Sequence, residues 1–174
     1  MEINNMSVNT ESEFKYKLSQ AKNLAKELRY LYNKFEDKPT HCVVEELSID
    51  YDIYFQYENG VEYCIKDNNS WIINFDARTT RTLYKENYKF IVYFGQIVLN
   101  HELGPDNKII RPERESIQFK EMMIFVGNLI MPGYFIQSKF DYFNKDIKKL
   151  SQYLELPELA VACRLYALDI IDEL

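Results

Sequence analysis

The residues with the most pointed chemistry are His101 and Glu102, inside Leu99-Asn100-His101-Glu102-Leu103-Gly104-Pro105. In the metal-binding pattern HExxH, histidines at i and i+4 share one face of a helix, where both imidazoles reach one Zn²⁺. The Glu between them polarises the metal-bound water as general base. Here the second histidine position holds Pro105. Proline carries no imidazole, and it lacks the N–H that regular helix would direct at the His101 carbonyl, so helix must stop there. One histidine does not hold a catalytic zinc against water, and without metal Glu102 has no activated water to serve. His101 and Glu102 therefore read as vestigial, with no catalytic residue and no metal ligand assigned.

Four carboxylates stand where a substituted ligand could come from: Asp106, which follows Pro105, and Glu113, Glu115 and Glu121 further on. Their ordinary reading is solvated surface charge. His41, the only other histidine, sits beside Cys42, and a His41/Cys42/Cys64/His101 cluster is conceivable without any spacing that supports it. No Ser/His/Asp or Cys/His arrangement can be argued from the sequence. A different kind of candidate is the stretch Tyr51-Asp52-Ile53-Tyr54-Phe55-Gln56-Tyr57. Tyrosine offers large contact area with few rotors, so Tyr51, Tyr54, Phe55 and Tyr57 are candidate partner-binding residues. Packing of the sheet explains the same alternation.

The elements that must position these groups follow from periodicity. Residues 1–11 are polar and aperiodic and read as a flexible tail, with residues 12–174 forming a single domain. From an N-cap at Ser12, Phe14, Leu18, Ala21, Leu24, Leu28, Leu31 and Phe35 recur at helical spacing, and Lys38-Pro39 closes a long amphipathic helix. Val43-Val44, then the tyrosine stretch, Val61–Ile65 and Trp71–Phe75 favour strands. Asn59-Gly60 between them is a hairpin signal, so a small antiparallel sheet is predicted. Helix returns from about Thr82 to Leu103 with Tyr84, Tyr88, Ile91, Phe94, Val98 and His101 on one broad face. A helix over 113–131, stopped by Pro132-Gly133, and two shorter ones over 141–154 and 157–172 complete the chain. The last two faintly suggest a helix-turn-helix, with Arg164 as its one base-reading side chain.

Composition narrows the function classes. At 174 residues with 47% hydrophobic and 28% charged content, the chain is globular. A net charge of −6 with scattered basic residues argues against direct nucleic-acid binding. Three widely spaced cysteines form no disulfide framework, and neither a signal sequence nor a run long enough for a membrane span is present, which predicts a cytoplasmic protein.

In their order, three stretches resemble the ImmA/IrrE family of zinc metallopeptidases: Trp71-Ile72-Ile73-Asn74, Leu99–Gly104, and Phe125-Val126-Gly127-Asn128-Leu129-Ile130-Met131-Pro132. The tail from Leu150 to Leu165 is similar to the family's closing helices, and the likeness spans about residues 57–170. The resemblance implies an α+β, zincin-like fold. A long N-terminal helix and an HE-bearing helix would pack on a small antiparallel sheet, followed by three C-terminal helices. It also implies a third metal ligand six residues before Phe125, where this chain has Phe119. The departures fall on the metal site, so the expectation is a pseudo-peptidase without cofactor. It would act as a protein-binding regulator, an anti-repressor or inhibitor from a phage or other mobile element, docking a helix-turn-helix repressor or a host protein. The alternatives are a zinc peptidase with substituted ligands that cleaves a repressor-type protein, and a toxin component or blocker of host defence on the same fold. Phe119 is expected beside His101, filling the former metal position.

Overall fold

The computed structural model describes residues 4–31 and 39–173, with side chains of the first helix given from Ser12 onward. Helix α1 (Asn4–Leu31) begins well before the N-cap expected at Ser12. Its buried stripe is Ala21, Ala25 and Leu28, whereas Leu31 is exposed; Phe35 and Lys38 lie outside the described residues. The small side chains at 21 and 25, one turn apart, allow α1 to lie along α4 (Ile117–Ile130), which is its main partner. The expectation that α1 packs on the sheet is thereby corrected.

Val43-Val44, read as strand, belongs to helix α2 (Thr40–Asp50). Thr40, Val43, Val44 and Leu47 bury one face at helical spacing, and Pro39 presets the entry as N-cap. After it come β1 (Ile53–Glu58), β2 (Tyr63–Asp67) and β3 (Ser70–Asp76), in the spatial order β1-β3-β2. β1 runs parallel to β3 and β2 antiparallel to it, so the sheet is mixed where an antiparallel one was expected. The apolar run of β3, with Ile73 and Phe75 fully buried, takes the centre because it alone can be covered on both edges. The tight hairpin is Asn68-Asn69, with Asp67 opposite Ser70 and Asn68 at φ 55°.

Asn59-Gly60 instead starts the connection that carries the chain across to the far side of β3. Gly60 sits at φ 79°, and a Cβ there would collide with the Arg78 guanidinium. The turn is anchored by Asp76, whose Oδ1 accepts from Gly60 N at 2.6 Å and Arg78 N at 3.0 Å. Those amides, the Gly60 bond foremost, hold its carboxyl below the usual range. A folded-state value below the unfolded one stabilises above the unfolded pKa and is lost as pH falls through the folded value. Asp76→Asn should therefore be less stable than wild type at neutral pH. In urea titrations across pH, that gap should close as the solution is acidified below the carboxylate range; a gap independent of pH would refute the ionic role.

Helix α3 (Leu83–Val98), capped by Thr82 accepting from Lys85 N, carries the sheet onto the helical layer. Phe55 meets Phe75 at 5.8 Å and Phe90 at 5.6 Å, and Phe94 continues the ring chain to Phe125 of α4 at 6.1 Å. Ser116 caps α4 by accepting from Phe119 N. Four helices, not three, follow the HE segment: α4, then α5 (Gly133–Tyr142), α6 (Ile147–Leu154) and α7 (Glu158–Tyr166). Pro132-Gly133, read as a stop, also opens α5, since Pro132 at φ −62°, ψ 147° is its N-cap. Arg164 is turned inward, its Nε donating to the Met131 carbonyl. Among the described residues no helix is long and apolar enough to cross a membrane.

Candidate functional site

His101 and Glu102 are not on a helix. α3 stops at Val98, seven residues before Pro105, because Asn100 turns left-handed at φ 53°. His101 N then donates to the Gln96 carbonyl and Asn100 N to that of Ile97, a Schellman closure that satisfies the end of the helix. The segment beyond folds back on itself around a 3₁₀ turn (Pro105–Asn107). Leu103 pairs with Ile109, Gly104 N donates to Lys108 O at 2.7 Å, and Lys108 bridges to Ile65 at the outer edge of β2. The expected HE-bearing helix thus becomes a helix followed by an HE-bearing strand-like loop.

That geometry decides whether these residues fit zinc. Both ring nitrogens of His101 are shielded from solvent without a hydrogen-bond partner, and burial depresses its pKa, which favours the neutral, ligand-competent imidazole. Among the described residues no pair of further donors joins it. Pro105 and Phe119 have none to give, and Glu102, Asp106, Glu113 and Glu115 are exposed. Glu121 on α4 is half-buried, its pKa raised by burial and opposed by Lys17 of α1, which puts it on the α1 side. Among the described residues no three His, Cys, Asp or Glu side chains converge at metal-binding distance, and the conceived His41/Cys42/Cys64/His101 cluster is not among any such group. Among the described residues no donor set that fits a zinc ion is formed at His101.

What the structure does form nearby is a cavity of about 500 Å³ between α3, α4 and the loop over residues 111–114. Val92, Phe119, Met122 and Met123 make its apolar wall. Phe119, expected beside His101, lines this open space, and His101 is not among the residues that line it. Tyr88, Tyr93 and Gln96 supply polar groups; burial raises the pKa of both phenols, with Arg111 opposing, so they serve as neutral hydrogen-bonding groups. The charges are unequal. Lys89 is neutralised by Glu62, whereas Arg111 and Arg114 have no carboxylate at ion-pair distance among the described residues. An apolar pocket with two uncommitted guanidinium groups is suited to a ligand carrying both carboxylate and hydrophobic surface.

The four candidate binding residues of the tyrosine stretch do not share a face. Tyr51 precedes β1 and sets its ring edge-on against Phe94 at 4.9 Å. Phe55 is part of the ring cluster described above. The Tyr57 hydroxyl donates to Glu86 at 2.7 Å, and Tyr54, 58% exposed, points to solvent on its own. Sequence reasoning passed over Arg111 and Arg114, whose only signal is the basic-proline pattern Arg111-Pro112-Glu113-Arg114. It also passed over a contact between His41-Cys42 and Glu155, which are 114 residues apart for His41 and leave no trace in local spacing. No protein-family model, no curated protein and no solved structure matches this chain.

Proposed function

We propose that this protein is a non-catalytic regulator that works by binding another protein, and that it grips its partner at the cavity between α3 and α4. The observation that carries the reading is the pair Arg111 and Arg114, free of carboxylate partners among the described residues, beside an apolar space of about 500 Å³. An acidic segment with one or two large apolar side chains would satisfy both features. A helix-turn-helix repressor is the partner in keeping with the resemblance to ImmA/IrrE peptidases, and a host protein targeted by a mobile element is the other. The HE segment supports binding over hydrolysis, because among the described residues its one shielded imidazole belongs to no metal-binding group.

Retention experiments with the full chain test this. A species held by wild type and by His101→Ala, but lost with Arg111→Glu/Arg114→Glu, is the expected result. Both arginines are exposed, so the reversal should leave stability within about 0.5 kcal/mol. Equal retention by all three proteins would remove the cavity from the docking site. A second reading, a metallopeptidase with substituted ligands, is favoured by one observation, the orphaned nitrogens of His101. Elemental analysis of untagged protein separates the two: near-zero zinc is expected, and stoichiometric zinc lost in His101→Ala would put the peptidase first.

A further inference from the structure

The first turn of α2 and the end of α6 bring Glu155 to the adjacent pair His41 and Cys42, 114 residues from His41 along the chain. His41 Nδ1 lies 3.0 and 2.8 Å from the two carboxylate oxygens of Glu155, and His41 Nε2 lies 3.3 Å from Cys42 Sγ. Carboxylate, imidazole and thiol therefore stand in series, each ring nitrogen committed to one neighbour. Glu155 is fixed in place: it occupies a left-handed position at φ 53°, its carbonyl accepts from Asn87 Nδ2, and one carboxylate oxygen also accepts from His41 N. Next to it, Thr40 Oγ1 donates to the Leu154 carbonyl. This clamp between α2 and α6 accounts for the His41–Glu155 contact but not for the thiol at its outer end. Cys42 and His41 are both half-buried, so neither is sealed in the core as Cys64 is.

We infer that Cys42 is a nucleophilic thiol with His41 as its base and Glu155 as the positioning residue, and that its substrates are small disulfides. The arrangement is the one by which an imidazole oriented by a carboxylate accepts a proton from a nucleophile. The substrate class follows from the backbone. Acyl transfer needs free N–H donors for a developing oxyanion, but His41 N is bonded to Glu155 and Cys42 N to the Pro39 carbonyl at 3.1 Å. Attack on a disulfide needs none, because the charge develops on the departing sulfur. The Cys42 proton passes to His41 Nε2 and the sulfur attacks one disulfide sulfur. The old S–S bond breaks as the new one forms, and the second sulfur leaves as thiolate, taking up a proton from His41 or solvent. The product is Cys42 in mixed disulfide, with no net change in the number of S–S bonds.

The other cysteines supply internal controls. Cys64 is fully buried in β2, where burial pushes its thiol up to about 12. Cys163 is half-buried and lines the cavity. Oxidised glutathione added to the full chain, with residue-resolved mass spectrometry over time, should load Cys42 about tenfold or more faster than Cys163. His41→Ala should slow Cys42 by about the same factor without changing Cys163, and added imidazole should restore part of the rate. Glu155→Ala should also slow it, while Glu155→Gln, whose amide oxygen still accepts from Nδ1–H, should recover part. Equal rates at Cys42 and Cys163 in the wild-type chain would overturn the assignment without recourse to any variant. Faster reaction of Cys42 with iodoacetamide but not with the disulfide would overturn the substrate class.

Discussion

Phe94→Ala should destabilise the chain by about 3–5 kcal/mol, the range for removing a large aromatic side chain from a packed core. Phe94 is wholly buried and is the ring where three parts of the molecule meet. Tyr51, at the exit of α2, packs edge-on against it at 4.9 Å; Phe90 stacks at 5.9 Å one turn earlier on α3; Phe125 approaches from α4 at 6.1 Å. Truncation leaves a void with aromatic walls from three elements, which cannot collapse together without moving a helix. A domain this size holds about 5–15 kcal/mol in total, so the loss is a large share of it. Urea titration followed by circular dichroism should show the midpoint fall with the slope unchanged, and Phe94→Leu should cost less. A shift under about 1 kcal/mol would mean that the ring cluster does not organise the core.

Arg164→Met is the second large effect, expected at about 1.5–3 kcal/mol because a charged hydrogen bond to a partly buried carbonyl is lost. The end of α4 presents carbonyls with no partner in the helix, and two arginines answer them. Arg29 of α1 donates Nη1 to Leu129 O at 2.6 Å, and Arg164 of α7 donates Nε to Met131 O at 2.9 Å. Both bring positive charge to the negative end of the helix dipole. Gly127 makes room: a Cβ there would come within 2.8 Å of Arg164 Nη1, so the guanidinium lies flat on the helix. Methionine keeps the apolar stem and removes the donor, which separates packing from hydrogen bonding. Arg29→Met should behave similarly, and the two should couple in a double-mutant cycle because they act on one helix end. A loss under about 0.5 kcal/mol for Arg164→Met would show that solvent replaces the bond.

How much was legible differs by element, for physical reasons. Helices α3 and α4 and strand β3 were readable because their apolar residues recur at the period of the element that buries them. The sheet's topology was not. Asn-Gly favours a tight turn anywhere, but β3 has the most apolar surface and captures both neighbours, which leaves Asn59-Gly60 to start a crossover. Val43-Val44 has the composition of a strand and is helix because Thr40, Val44 and Leu47 find a common buried face. At the candidate site, that Pro105 and Phe119 can offer no metal ligand is plain from residue identity. The left-handed Asn100 that takes His101 off the helix is not, since asparagine tolerates many backbone positions.

By itself, then, the sequence determined the class of the fold, the long apolar-striped helices and the absence of an HExxH pair, since these depend on residue type and near-neighbour spacing. Tertiary structure alone decided the mixed order of the sheet, the pairing of α1 with α4, the cavity over which Arg111 and Arg114 stand, and the series Glu155, His41, Cys42. Each of those joins residues far apart along the chain. Such contacts are set by competition among buried faces for the same space, and local spacing carries no record of which face wins.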